Sequence, residues 1–343
     1  MQPRPAFNID KKANSMDFRA LQVDNGDSGY RADIKTLPIS VLGEGGVLVK
    51  IAYSSLNYKD ALAVTGKGKI IRQFPLIPGI DFAGEVLESD SVAFVPGQQV
   101  ILTGWGVGER VNGGLAEYAR VKPEWLVPLP AGLDVHQAMA VGTAGLTAML
   151  CVMALEQHGV APDSGEVLVS GASGGVGSIA LALLANLGYR VVAVSGKPEL
   201  TPWLIELGAS SVLLRESIAA AARPLESEQY SGAIDTCGSS VLAGLLPRIR
   251  YGGCVAACGL AAGFDLNTTV MPFILRGVSL AGVDSVMCPL PRRNEAWQRI
   301  ARDLPLSLLA RLSRDVDLAR VEDECQRMAA GGARGRVVVR MEA

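Results

Sequence analysis

The stretch Val167-Leu168-Val169-Ser170-Gly171-Ala172-Ser173-Gly174-Gly175-Val176-Gly177 decides how this chain folds. Its first three residues have the apolar, branched character of a buried strand. The residues from Ser178 to Leu187 that follow have the apolar character of a core helix. Between them stand glycines three residues apart, at 171, 174 and 177. Glycine permits a tight turn and lets the backbone approach a pyrophosphate closely. The N-terminus of the helix offers unsatisfied N–H groups to phosphate. A glycine-rich turn alone would be an ordinary packing turn. With a strand before it and a helix after it, the pattern reads as a shifted variant of the dinucleotide fingerprint.

Outward from this turn, strands and helices alternate. The pattern predicts strands at Arg190 to Ser195, Ser211 to Leu214, Gly232 to Thr236, Cys254 to Ala257 and Ser279 to Val283, with a helix over Glu199 to Leu207. Such alternation predicts a doubly wound parallel sheet with right-handed crossovers. Ala138 to Leu155 reads as a long Ala-rich helix leading into it. Upstream, from Met16 to about residue 137, short strands separated by Gly and Pro turns suggest a partly closed β-barrel. Gly335 to Val339 reads as a last strand returning to that first domain. Residues 1–15 lack this patterning and read as a disordered upstream extension or leader, outside the fold.

A length of 343 residues fits two domains at roughly 150 residues each. With 49% hydrophobic and 19% charged residues, the chain can bury sizeable cores. A formal net charge of -2 gives no sign of a nucleic-acid partner. No uninterrupted apolar run reaches the ~18–20 residues that span a bilayer, so no membrane association is expected, and a cytoplasmic location follows by default. The 6 cysteines are scattered among apolar residues and read as buried, reduced thiols.

The second predicted strand of the parallel sheet ends Val194-Ser195-Gly196-Lys197. An NAD site usually places an acid there against the ribose hydroxyls. A hydroxyl and a cation stand there instead, suited to an adenosine 2′-phosphate. Arg215, ending the third strand, adds a second cation. The nucleotide expected is therefore NADP(H). Only 2 histidines exist, His136 and His158, and neither has a Cys or His partner at ligand spacing. No metal site is expected. The chemistry expected is one in which the substrate itself holds the developing negative charge.

Six stretches carry a resemblance to a known family. Ser55-Leu56-Asn57-Tyr58-Lys59-Asp60, Pro78-Gly79-Ile80-Asp81-Phe82-Ala83-Gly84 and the turn from Ser170 to Gly177 resemble the zinc-independent medium-chain dehydrogenase/reductases. Leu102-Thr103-Gly104-Trp105-Gly106-Val107-Gly108, the stretch from Tyr251 to Leu260, and Met271 to Gly277 leading to Val283-Asp284-Ser285 are similar to the NADPH-dependent acrylyl-CoA (acryloyl-CoA) reductases of bacteria.

The resemblance implies a GroES-like β-barrel catalytic domain, residues 16–137 and 286–343, and a Rossmann NADPH-binding domain, residues 138–285. It implies that Tyr58 lies near the nicotinamide half of NADPH. Ser173, Gly174, Gly175 and Val176 would cradle the pyrophosphate. Ser195, Gly196, Lys197 and Arg215 would read the adenosine phosphate, and Leu260, Ile274 and Ser285 would line the nicotinamide pocket. It further implies an acyl-CoA substrate and a homodimer paired near Ser279 to Val283.

The reaction expected is conjugate reduction of acryloyl-CoA to propanoyl-CoA, with hydride to the β-carbon and a proton to the α-carbon. Asn57, Tyr58, Asp60 and Asp81 form the candidate catalytic cluster. Asn57 or Tyr58 can donate to the thioester oxygen, and the two aspartates suit orienting roles. Solvent can supply the final proton. Lys67, Lys69 and Arg72 form a basic loop that either meets coenzyme A phosphates or is simply solvated. Two other readings stand beside this one: a quinone or enone reductase on the same fold, and a non-catalytic NADPH-binding protein.

Overall fold

The computed structural model describes residues 16–27, 29–219 and 223–341; the predicted leader at 1–15 lies outside the described residues.

The predicted alternation is realised as a six-stranded parallel sheet. Its strands are β1 (Glu166–Val169), β2 (Arg190–Ser195), β3 (Ala209–Leu214), β4 (Tyr230–Asp235), β5 (Ile249–Ala257) and β6 (Ser279–Gly282). Their order across the sheet is β3-β2-β1-β4-β5-β6, and every pair is parallel. The order reverses at β1, which is where a doubly wound sheet opens a crevice at its carboxyl edge. β1 to β4 are rich in Val, Ala and Ile because helices cover both faces.

The second large sheet has seven strands. Ser313–Asp317, Arg336–Arg340, Val47–Leu56, Asp81–Ser89, Gln99–Thr103 and Leu126–Pro128 follow one another, and Tyr118–Val121 also pairs with Val47–Leu56. The Arg336–Arg340 strand runs antiparallel to Val47–Leu56, with Val337 opposite Leu56. Residues from the two ends of the chain thus share one barrel sheet. An antiparallel hairpin, Asp17–Gly26 with Gly29–Pro38, packs beside it.

Three helices position the site: α1 (Tyr58–Thr65), α2 (Val135–Gln157) and α3 (Gly175–Asn186). Ala138 to Leu155 of α2 are all buried, and α2 packs against both sheets. α2 is long and apolar enough to cross a membrane by length and composition, although no apolar run in the sequence reaches that length. Its apolar character comes from Ala and Gly dispersed among Leu, Val and Met, and its most apolar window is wholly buried as a core helix.

α2 is broken at Gly142, whose φ of 54° is left-handed. A Cβ there would lie 2.5 Å from Arg336 Nη2 and 2.6 Å from Ser55 Oγ, so only glycine fits. The break frees the Thr143 N–H from the helix, and it donates to Asp81 Oδ2 at 2.8 Å.

Candidate active site

The residues expected to hold the nucleotide gather at the carboxyl ends of the parallel strands. The glycine turn follows β1, Ser195 ends β2, Arg215 follows β3, and Leu260 and Ser285 lie just beyond β5 and β6. Ile274 lies in the short helix Met271–Arg276 that precedes β6.

The turn is built by close backbone approach. Gly171 has φ +59°, and a Cβ there would stand 2.2 Å from Thr236 Oγ1. A Cβ on Gly177 would stand 2.3 Å from Gly171 O. Ser170 Oγ donates to Asp235 Oδ1 at 2.6 Å and accepts from Thr236 N at 3.0 Å, tying β1 to the end of β4. Burial raises the Asp235 carboxyl pKa. Ser173 Oγ accepts from Ser195 Oγ at 3.3 Å, so the turn and the β2 tip form one polar surface. Gly174 caps α3, and Gly174, Gly175 and Val176 remain partly accessible at its start.

The two cations differ in their freedom. Lys197 Nζ donates to Ala333 O in the loop before the Arg336–Arg340 strand, and burial lowers its pKa. Arg215 is 51% exposed on its side chain, and among the described residues its ion pair is with Glu216, at 3.5 Å. Its guanidinium lies against Gly196, where a Cβ would meet Cζ at 3.0 Å. No acid ends β2. This donor set fits a phosphorylated ribose: two hydroxyls, an open backbone N–H edge and one cation free to swing. Sequence reasoning put Lys197 ahead of Arg215 as the phosphate reader, but the geometry gives the exposed fork to Arg215.

The polar cluster of Asn57, Asp60 and Asp81 is largely internal. Asp81 is 0% exposed: Oδ1 accepts from Ser55 N (3.1 Å) and Oγ (2.7 Å), and Oδ2 from Asn57 Nδ2 (2.9 Å) and Thr143 N (2.8 Å). Asp60 is 1% exposed and accepts from Asn57 N at 2.9 Å and Ile80 N at 3.0 Å. Burial first, then the charge of Asp81, pushes its carboxyl up to about 7. Both carboxylates are saturated by the chain itself, which suits them to orient neighbours rather than meet substrate. Asn57 is buried too, whereas Tyr58, the first residue of α1, is 45% exposed.

Four residues of the site were not singled out from sequence. Thr143, just past the break in α2, is buried, and its hydroxyl has no hydrogen-bond partner among the described residues. An orphaned buried hydroxyl beside a cofactor crevice is a donor awaiting a ligand oxygen. One turn on, Thr147 Oγ1 bridges Thr143 O (2.7 Å) and Ser285 Oγ (2.8 Å). Arg293, fully buried, donates to Thr103 O (2.7 Å), Ser285 O (3.0 Å) and Val286 O (3.1 Å) and stacks 4.8 Å from the Trp105 ring. It thereby fixes Ser285 against the barrel. Arg336, the fourth, lies against the glycine turn and donates to Asn57 Oδ1 at 3.2 Å. Thr143 and Thr147 are lone hydroxyls in an apolar stretch, whereas Arg293 and Arg336 stand close to other arginines, and neither pattern says anything of a distant partner.

Zinc is not accommodated by this donor set. Among the described residues no group of three or more His, Cys, Asp and Glu side chains could hold a metal ion. His136 instead meets Asp315, and His158 meets Ala154 O.

Two family descriptions match the chain: an alcohol dehydrogenase GroES-like domain over residues 43–131 and a zinc-binding dehydrogenase over residues 175–302. The chain is 56% identical to "Probable acrylyl-CoA reductase AcuI" of Escherichia coli, covering 94% of this chain and 100% of the relative. It is 49% identical to acrylyl-CoA reductase AcuI of Ruegeria pomeroyi, covering 95% and 100%. The crystal structure of the YhdH oxidoreductase of Salmonella enterica in complex with NADP superposes with a TM-score of 0.93 at 56% identity, covering 94% of this chain and 100% of that one. Full-length likeness at this level, on this two-sheet architecture, places the chain in the medium-chain dehydrogenase/reductase family, in the branch that holds the AcuI proteins.

Proposed function

We propose that this protein is an NADPH-dependent acrylyl-CoA reductase, converting acryloyl-CoA to propanoyl-CoA. The observation that carries the reading is the full-length likeness to proteins of that name, joined to a nucleotide crevice in which a cation and hydroxyls stand where an acid would exclude a 2′-phosphate.

NADPH, when bound, supplies the hydride that adds to the β-carbon of the thioester. The turn from Gly171 to Gly177 and the start of α3 bind its pyrophosphate. Ser195, Gly196, Arg215 and, from its tethered position, Lys197 bind the adenosine phosphate. Leu260, Ile274 and Ser285 wall the nicotinamide pocket. The Thr143 hydroxyl and the exposed Tyr58 hydroxyl are the donors for the carbonyl oxygens that enter the crevice, the thioester oxygen among them. As hydride arrives, negative charge collects on that oxygen, and a preoriented donor there lowers the barrier. Asp60 and Asp81 hold Asn57, Ser55 and the Thr143 amide in place. A proton delivered to the α-carbon, for which solvent suffices, completes the reaction.

Lys67, Lys69 and Arg72 are exposed cations in the loop after α1, and Arg72 N donates to Glu109 O at 3.1 Å, bracing that loop. They suit the phosphates of coenzyme A. A homodimer is the assembly we infer. β6 is an edge strand of the sheet, and Phe264, Val270, Leu275 and Met287 around it are exposed, an apolar margin that a second copy would cover. All six cysteines are free thiols, in keeping with a reducing cytoplasmic setting.

The test is NADPH oxidation with acryloyl-CoA, longer enoyl-CoA thioesters and simple quinones side by side. Acryloyl-CoA is expected to give the highest kcat/KM. A tenfold advantage for a quinone would reassign the substrate, and tight NADPH binding without turnover would make the protein a binding module.

A further inference from the structure

The last barrel strand begins with an arginine that is only 2% exposed. All three nitrogens of the Arg336 guanidinium donate. Nε bonds Ala140 O (3.1 Å), Nη1 bonds Leu56 O (3.1 Å) and Asn57 Oδ1 (3.2 Å), and Nη2 bonds Ser55 Oγ (2.6 Å). Burial lowers its pKa, and the nearby charges of Asp81 and Asp60 favour the charged form.

These partners belong to pieces of chain that must be in register for hydride transfer. Ser55, Leu56 and Asn57 lead directly into α1 and Tyr58. Ala140 precedes the Gly142 break and Thr143. The other side of the guanidinium faces the nucleotide turn: a Cβ on Gly175 would meet Nη1 at 3.1 Å and Cδ at 3.4 Å. The neighbouring Gly335 N donates to Ser173 O at 3.0 Å. One planar group therefore touches the element that grips phosphate and both elements that face the reacting end of the nucleotide.

We propose that Arg336 is a positioning residue, a spacer that sets the distance between the phosphate-binding turn and the Tyr58 and Thr143 donors. This rests on the reductase reading and goes beyond it. Hydride transfer needs the reacting atoms within about 3–3.5 Å, and a misplacement of about 1 Å costs on the order of 100-fold in rate. A rigid fork with several fixed donors can hold such a spacing, whereas the flexible ammonium of lysine keeps the charge and loses the geometry.

The test compares the wild type with Arg336→Lys in three readouts: NADPH affinity, kcat, and the primary isotope effect with NADPH deuterated at the transferred position. The expected result is NADPH affinity within about threefold of wild type, kcat lowered ~10- to 100-fold, and a larger, more temperature-dependent isotope effect. A folded variant whose isotope effect stays at the wild-type value, or whose kcat falls only as far as its NADPH affinity, overturns the proposal. Should Arg336→Lys not fold, Gly175→Ala displaces the same guanidinium by a few tenths of an ångström. It is expected to raise the isotope effect in the same way, and an unchanged isotope effect there overturns the proposal equally. The isotope effect is read on whichever activated alkene the wild type reduces. Failure of the acryloyl-CoA assignment would show in wild-type turnover, and failure of the spacer would show only in the variants.

Discussion

Replacing Arg215 by glutamine removes an exposed cation at the β2–β3 edge of the nucleotide crevice while keeping a side chain of similar reach. The guanidinium is half exposed and makes a single surface contact with Glu216 at 3.5 Å, so little native structure is lost. A hydrogen bond to a charged group contributes about 1.5–3 kcal/mol, and partial exposure puts this one at the low end, about 1.5–2 kcal/mol. At about 1.4 kcal/mol per tenfold, the Kd for NADPH is expected to rise roughly 10- to 30-fold. NADH, which lacks the phosphate, is expected to bind within about twofold of its wild-type affinity. Titration of protein fluorescence with each nucleotide, at one fixed ionic strength because exposed charges are screened over about 10 Å at 0.1 M salt, gives both constants. Equal losses for NADPH and NADH would refute the phosphate role. So would a neutral Arg215→Gln beside a large loss in a Lys197 variant, since Lys197 is tied to Ala333 O.

Three other outcomes follow from the geometry. Gly177→Ala would press a Cβ to 2.3 Å from Gly171 O; overpacking of this kind costs about 1–3 kcal/mol, and urea unfolding should show it together with weakened binding of both nucleotides. Burial, then the Asp81 charge, pushes the Asp60 carboxyl up to about 7, against about 3.9 for an unfolded aspartate, so its stabilising contribution is expected to be complete below about pH 4 and lost as pH rises through about 7; a carbon-13 NMR titration placing the Asp60 carboxyl below pH 5 would contradict this. Charge reversal at Lys69 and Arg72 together is expected to raise KM for acryloyl-CoA several-fold and leave quinone reduction unchanged, with an effect that fades at high salt; equal effects on both substrates would remove the loop from thioester recognition.

The nucleotide-binding sheet was legible because its signals are local. A strand, a glycine turn and a helix lie within about two dozen consecutive residues, and the periodicities on either side belong to neighbours in the chain. The phosphate-facing residues follow from the same local grammar, since each sits just past a strand end. The network beneath them was not legible. Asn57 and Arg336 are hydrogen-bonded across 279 positions, and Asp81 meets Thr143 across 62. Asn57, Asp60 and Asp81 were recognisable as a polar cluster, but not as a saturated, buried one, because saturation depends on the break at Gly142 and on a strand at the far end of the chain. Lys197 was read as a free cation for the same reason: its partner, Ala333 O, lies 136 residues away.

That remote strand has a consequence for how the protein comes into being. On a ribosome the entire nucleotide-binding sheet, β1 to β6, is synthesised before Arg336–Arg340 exists. Until then the edge of Val47–Leu56 from Tyr53 to Leu56 stands open, and the slot between Ser55 and Asn57 holds no guanidinium. The half of the molecule begun first is therefore completed last. Shearing away the final dozen residues would not shorten a tail. It would leave the barrel with a raw seam and the two halves of the crevice without their common fastening.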